Sequence, residues 1–380
     1  MENQNISTIE KLQQKGVNIP NPLSVEIGDD VDVGRISGDG VVIYSGCKIY
    51  GKSTLILRHA KLGYEAPVTV ENCQIGPEAE LRGGFFQKAV FLKKAGMGLG
   101  AHVREGTILE EEASGAHTVG LKQTILFPFV TLGSLINFCD CLMSGGTDRK
   151  DHSEVGSSYI HFNYTPNQDK ATPSLIGDVP SGVMLNQRPI FLGGQGGLVG
   201  PCRLAFGTII AAGSINRRDE LRQGRLILEG NKSGNMSYTP GIYIGVERII
   251  KNNVIYIANL TALMQWYIHV RSQFISDEFP EALLDGLKEK LNMAIEERIK
   301  RLELLCLQKE TRLSDKWPAM EDDLISRQNS QGDTGLRDAF LEKIAAGIEN
   351  FGKDYITVIT NLRDGDAEIG TRWLQGIVEG

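Results

Sequence analysis

A chain of 380 residues is long enough to bury two or three substantial cores. Its formal charge of -7 and pI near 5.5 exclude nonspecific nucleic-acid binding through a net positive field, while leaving room for a local basic site for an anionic small molecule. The opening Met-Glu-Asn-Gln-Asn has neither a basic nor an apolar secretion region, and no apolar run reaches the roughly 18 residues of a membrane span, so a cytoplasmic protein without a membrane partner is expected.

Residues 1–24 carry a short helical pattern at Ile9 and Leu12 and end at Pro20 and Pro22, which reads as an N-terminal cap. A six-residue phase follows. Val25 and Val31 stand six apart, as do Gly28 and Gly34. The phase returns around Cys47–Lys52 and Gln74–Leu81, and clearly at Cys202-Arg-Leu-Ala-Phe-Gly and Thr208-Ile-Ile-Ala-Ala-Gly. A hexad period is a solenoid signature: each hexad gives one short strand and one turn, with an aliphatic residue pointing inward at a fixed position. A Gly-rich β-sandwich has no reason to keep one phase at both ends of such a stretch. Ser37–Tyr44, Arg58–Pro67, Gly83–Gly98, Cys141–Ser153 and Thr165–Pro173 do not fit hexads and are expected to leave the coil as loops, where function is commonly carried.

After Ile215 the pattern changes. A β-like piece at Leu226–Leu228 precedes a Gly/Ser/Asn loop over Gly230–Tyr238. Helical spacing then runs over 245–274, about 280–311 and about 336–361, with a polar loop at Asp322–Gly335 and Trp373 and Leu374 in the tail. The expected organisation is a cap over 1–24, a left-handed parallel β-helix with loop insertions over 25–215, a linker over 216–240, and an α-helical assembly domain over 241–380.

Several motifs invite chemistry. Gly46-Cys-Lys-Ile-Tyr-Gly51-Lys52-Ser53 matches the P-loop letters, but Thr54-Leu-Ile-Leu follows as a strand where a phosphate cradle needs a helix. The run Gly193-Gly-Gln-Gly-Gly197 reads either as a structural corner or as the wall along which a thin ligand passes. The six cysteines are scattered, and Cys139 and Cys141 lack a second pair for zinc, so reduced thiols and no metal are expected. His59, His102 and His117 read as structural, and His152 as part of a solvated loop. The stretch Ile160–Asp178 stands apart: it places His161, Asn163, Tyr164 and Lys170 within ten positions. If His161 and Asn163 share a strand face, the imidazole could take a proton from an amine or hydroxyl.

Between Gly120 and Gly213 the chain resembles the acyltransferase half of the bifunctional UDP-N-acetylglucosamine pyrophosphorylase/glucosamine-1-phosphate N-acetyltransferase family. The matching residues are Leu121-Lys122-Gln-Thr124, Phe162-Asn163-Tyr164, Asp169-Lys170-Ala-Thr172, Leu175-Ile176-Gly177-Asp178 and Leu198-Val-Gly-Pro201-Cys-Arg-Leu204. The resemblance implies that Lys122 contacts a sugar phosphate, Asn163 and Tyr164 the sugar and acyl group, and Lys170 the anionic end. Asn137 would also lie against substrate, and Gly194, Gly197 and Cys202 along the acyl-carrier arm of acetyl-CoA or a related thioester. It further implies a homotrimer, with sites between adjacent coils. Two departures stand out. Phe138 occupies the place of the family's catalytic histidine, so either His161 (or, second, Asp140) has become the base or acyl transfer is lost. No nucleotidyltransferase signature precedes residue 25. Two functions are therefore expected as alternatives: a sugar-phosphate or sugar-nucleotide acyltransferase, or a non-catalytic sugar-nucleotide-binding or assembly protein.

Overall fold

A computed structural model of the chain describes residues 2–165, 167–228, 245–308, 311 and 313–380. The loop expected over Gly230–Tyr238, and the end of the 216–240 linker, lie outside these residues. The expected fold class is observed: a left-handed parallel β-helix with inserted loops, followed by helices.

Every registered strand pair is parallel, and the strands stack in three columns. Column one runs from Glu26–Ile27 through Lys48–Tyr50, Val68–Glu71, Gly84–Gln87 and Ala101–Val103 to Ile160–Phe162, Gly197–Val199 and Ile215–Asn216. Column two includes Leu55–Ile56, Gln74–Ile75, Ala89–Phe91, Thr107–Leu109, Ser174–Ile176 and Arg203–Leu204. The long strands Gly120–Leu126 and Asn137–Met143 bend from column one into column two. Column three is a ten-stranded sheet from Val42–Ile43 to Leu226–Ile227. The hexads explain this arrangement. In each short strand one side chain faces inward, and in column one Ile27, Ile49, Val70, Phe86, Val103, Leu121, Phe138, His161, Leu198 and Asn216 form one buried stack.

Two departures from the hexad reading have simple causes. Gly83–Gly98 does not leave the coil; it supplies Gly84–Gln87, Ala89–Phe91 and Gly96–Met97, with phenylalanine standing where aliphatic residues stand elsewhere, and Ser37–Tyr44 and Arg58–Pro67 likewise supply the rungs Val42–Ile43 and Lys61–Leu62. The coil also runs past Ile215, because Leu226–Ile227 pairs with Ile209–Ile210 as a final rung.

Helix α1 (Glu2–Lys15) seals the first coil with Ile9 and Leu12. A one-turn α2 (Val179–Gly182) follows Asp178, whose carboxylate accepts the Ser181 N–H at 2.8 Å. The C-terminal part comprises α3 (Val246–His269), α4 (Glu281–Cys306), α5 (Trp317–Gln328), α6 (Thr334–Phe351), α7 (Tyr355–Thr360) and α8 (Asp364–Glu379). The Asp322–Gly335 segment is thus not all loop: Pro318 occupies the first turn of α5, where its missing N–H costs nothing, and Trp317 and Leu324 face inward. The third expected helix is two, because Gly352 ends α6 in the left-handed region (φ +75) and Asp354 caps α7 by accepting from Thr357 at 2.9 Å.

α4 packs over column two at Gln74–Ile75, Ala89–Phe91 and Thr107–Leu109, and α3 over Ser174–Ile176. Burial records the coverage. Column-two strands other than the last, Arg203–Leu204, are buried on both faces, whereas most strands of columns one and three alternate between exposed or half-exposed and buried. One apolar core consequently runs from the coil interior into the helices.

Candidate functional site

The expected sugar-binding residues gather where column one turns into column two. Lys122 and Cys139 are register partners on adjacent rungs, with Asn137 leading the second of them. Lys122 Nζ pairs with Glu105 Oε1 at 2.7 Å. Burial alone would raise the Glu105 pKa, but the hydrogen bond from Lys122 and the neighbouring Arg104 and Lys122 charges bring it below the usual value. Asn137 is exposed, and its Oδ1 accepts from the Cys139 thiol at 3.4 Å. Asp140 makes the corner itself, with φ +63.

On the next coil this corner is replaced by a loop that starts at Asn163. Asn163 Nδ2 donates to Asp140 Oδ2 at 2.9 Å, and Arg298 of α4 donates to Asp140 Oδ1 at 2.8 Å. Thr172 Oγ1 donates to the Asn163 carbonyl (3.1 Å), Thr165 Oγ1 to Asp169 Oδ2 (3.0 Å), and the Ala171 N–H to Asp169 Oδ1 (2.9 Å). Tyr164 is 68% exposed and Lys170 is exposed in a left-handed conformation (φ +55). Both side chains are therefore presented to solvent from a loop whose backbone is closely tied. Arg298, which holds the corner, carries no sequence signal; it lies in an ordinary amphipathic helix more than a hundred residues away.

His161 does not join this patch. It occupies the inward stack between Phe138 and Leu198 and is 2% exposed. Its Nδ1 lies 2.6 Å from the Cys139 carbonyl, which can only accept, so Nδ1 carries the proton. Nε2 then accepts from Ser174 Oγ at 2.7 Å, and Ser174 Oγ accepts the Cys202 N–H at 3.1 Å. Burial pushes the imidazole pKa down to about 4, outweighing the pull of Asp140 and the Cys139 carbonyl. The ring is neutral and offers no free lone pair to a substrate. The strand ends at Phe162 and the chain turns, so His161 and Asn163 do not share a face as expected. Phe138 also faces the core, with ring centroids 6.0 Å from Tyr159 and 6.5 Å from His161. Asp140, the second expected base, is closed in by Arg298 and Asn163.

The residues expected along an acyl-carrier arm are drawn into the coil packing. Cys202 is buried, its thiol donating to the Arg218 carbonyl at 2.9 Å, and so cannot line a surface groove. A Cβ at Gly194 would stand 2.8 Å from the Ser157 carbonyl oxygen, and one at Gly197 would strike the Phe162 ring. These glycines are required by neighbouring coils.

A groove of about 930 Å³ lies on column three, lined among others by His59, Lys61, Glu80, Arg82, Met97 and His117, and is separate from the corner patch. Among the described residues, no three or more His, Cys, Asp or Glu side chains converge to hold a metal, all six cysteines are free and buried, and no helix is long and apolar enough to cross a membrane.

No family model matches the chain. Among curated proteins it is 28% identical over 215 residues to the bifunctional protein GlmU of Fervidobacterium nodosum and 26% identical over 212 residues to that of Thermotoga maritima. Each match covers 56% of this chain but only 41% and 42% of the relative, so the chain spans well under half the length of these proteins. A solved structure of LpxA from Acinetobacter baumannii aligns with 72% of this chain and 95% of its own, at 14% identity and a TM-score of 0.20, below the level at which two folds are alike. In sequence and fold the chain is thus a left-handed β-helix protein whose solenoid resembles the acetyltransferase half of the GlmU proteins.

Proposed function

We propose that the chain is a hexapeptide-repeat acyltransferase-type protein that binds a sugar phosphate or sugar nucleotide at the corner patch, with acetyl-CoA or a related acyl thioester as donor. The observation that carries this reading is the loop of Asn163, Tyr164 and Lys170, the segment of family resemblance, emerging beside Asn137 and Lys122 on consecutive coils. Lys122 and Lys170 would meet the anionic end, and Asn137, Asn163 and Tyr164 the sugar. The sugar amine or hydroxyl would attack the thioester carbonyl, with backbone N–H groups stabilising the oxyanion; its collapse would break the C–S bond, and the carrier would leave as a thiol, taking up the proton that the nucleophile gives up. The patch lies on an open surface, and a second copy would complete its other wall. A homotrimer is supported by the apolar ladder of register partners Phe191, Ile209 and Leu226, exposed on column three.

A specific observation favours a second reading, in which the protein binds sugar nucleotide without turning it over. Both Phe138 and His161 point into the core, so neither supplies the base. The imidazole that faces outward in column one is His102, stacked on Phe85 at 5.2 Å and paired with Gly120, itself the partner of Asn137. That places it two rungs, roughly 10 Å, from Asn137. The deciding assay incubates the protein with acetyl-CoA and a panel of amino- and hydroxy-sugar phosphates, following released thiol, with His102→Ala beside wild type. Sugar-nucleotide binding without thiol release selects the binding reading. Thiol release abolished by His102→Ala selects acyl transfer, and no binding of any sugar phosphate rejects both.

A further inference from the structure

We propose that the helical domain sets the conformation of the ligand loop, with Arg298 and Asn253 as positioning residues, a role in ligand binding that rests on the loop being the sugar grip. Two anchors, one at each end of the loop, carry the proposal. At the first, Arg298 is 1% exposed and reaches out of α4 to Asp140, whose other oxygen holds Asn163. The carboxylate is a shared acceptor: helix on one side, loop on the other. At the second, Asn253 of α3, fully buried, donates to the Ala171 carbonyl at 3.0 Å. Ala171 itself sits in an apolar cluster with Ile257, Leu302, Leu305 and Trp317, all from the helical domain. Tyr164 and Lys170 stand between these two fixed points. A loop of this length tied only to its own coil would sample many backbone states; this one is held by α3 directly at Ala171 and by α4 through the shared Asp140 carboxylate at Asn163.

The charges make the first anchor selective. A carboxylate at the corner attracts the Asn163 amide, yet alone would be a buried, unpaired charge. Arg298 makes that carboxylate tolerable, so docking of α4 and the seat for Asn163 form together. Ligand binding and helix docking are then coupled through one side chain, and each should strengthen the other.

Hydrogen exchange of the 380-residue chain tests this without requiring any ligand. Two perturbations avoid an unpaired buried charge: Arg298→Met combined with Asp140→Asn, and Asn253→Ala alone. Each is expected to accelerate exchange of the amides over Asn167–Thr172 by roughly tenfold, leaving the coils before residue 120 unchanged. A parallel titration with UDP-N-acetylglucosamine should show Kd raised by a similar factor in both. Unchanged loop exchange in both variants overturns the proposal. Accelerated loop exchange in a protein that binds no sugar nucleotide, wild type included, keeps the positioning role and removes the sugar reading instead. Uniform acceleration throughout the coil would mean general destabilisation and would also reject the proposal.

Discussion

His161 and Glu110 are two buried titratable groups whose linkages oppose one another. His161 holds a folded pKa of about 4 because burial disfavours the cation, against about 6.5 in an unfolded chain. The folded state therefore binds fewer protons between those values, and stability from this group is lost as pH falls through that window. Glu110 is raised to about 7, chiefly by burial and by Glu111, against the opposing pull of Arg271 and the Tyr267 hydroxyl, which donates to it at 2.6 Å. Its folded state binds more protons, so its contribution declines as pH rises from about 4.5 to about 7. Thermal melts of wild type should show a muted pH dependence from these two groups between pH 5 and 6.5. Glu110→Gln should unmask a stability that rises with pH, and His161→Asn one that falls. His161→Ala should also cost about 2–4 kcal/mol in chemical denaturation, by emptying a core position and leaving Ser174 and the Cys139 carbonyl without their partner. The sequence shows His161 as a histidine in chemically promising company. It cannot show that one residue of strand phase sends the ring inward, because the turn after Phe162 is set by an inserted loop and not by the hexad.

Single strands and helices were more legible than the joints between them. Aliphatic residues six apart announce the coil because each rung repeats the same inward position, and α3 and α4 announce themselves by their apolar stripes. The breaks at Gly352 and the start of α5 at Trp317 depend on caps and on burial of one indole, which periodicity does not register. The same distinction applies to the Gly-rich run. From sequence it could be a corner or a ligand wall; the structure makes Gly197 a contact under the Phe162 ring. Gly197→Ala should therefore destabilise by about 1–3 kcal/mol through overpacking, with Phe162 displaced. Far-ultraviolet circular dichroism should be unchanged and the denaturant midpoint lowered; an unchanged midpoint would show that the ring yields freely.

At the scale of the whole molecule, helices and coil behave as one folded body. Tyr267 reaches Glu110, Arg271 reaches Glu111 and stacks on Tyr355 and Phe279, Arg298 reaches Asp140, and Arg58 pairs with Glu278. A calorimetric scan should accordingly give a single cooperative transition, and a chain truncated after residue 228 should aggregate, since column two would expose residues that are now buried on both faces. None of this docking was readable in advance. It depends on which acidic residue of which coil meets which arginine of which helix, and a single sequence contains no record of such pairings. The proposed trimer makes its own demand: Ile209→Asp, in the exposed apolar ladder, should yield particles at the 41.7 kDa chain mass in sedimentation velocity, where wild type sediments as a multiple of it.

The roof over column two has a consequence for what the molecule can build. A prism whose three sides all accepted neighbours could tile outward without limit, into sheets or lattices. The helices withdraw one side from that traffic. Two sides remain, meeting along a single ridge, and in the proposed trimer a contact between them with a rotation of about 120° would close the ring. In such a trimer the helical domain would limit valence: it would let the particle finish and deny it the means to spread.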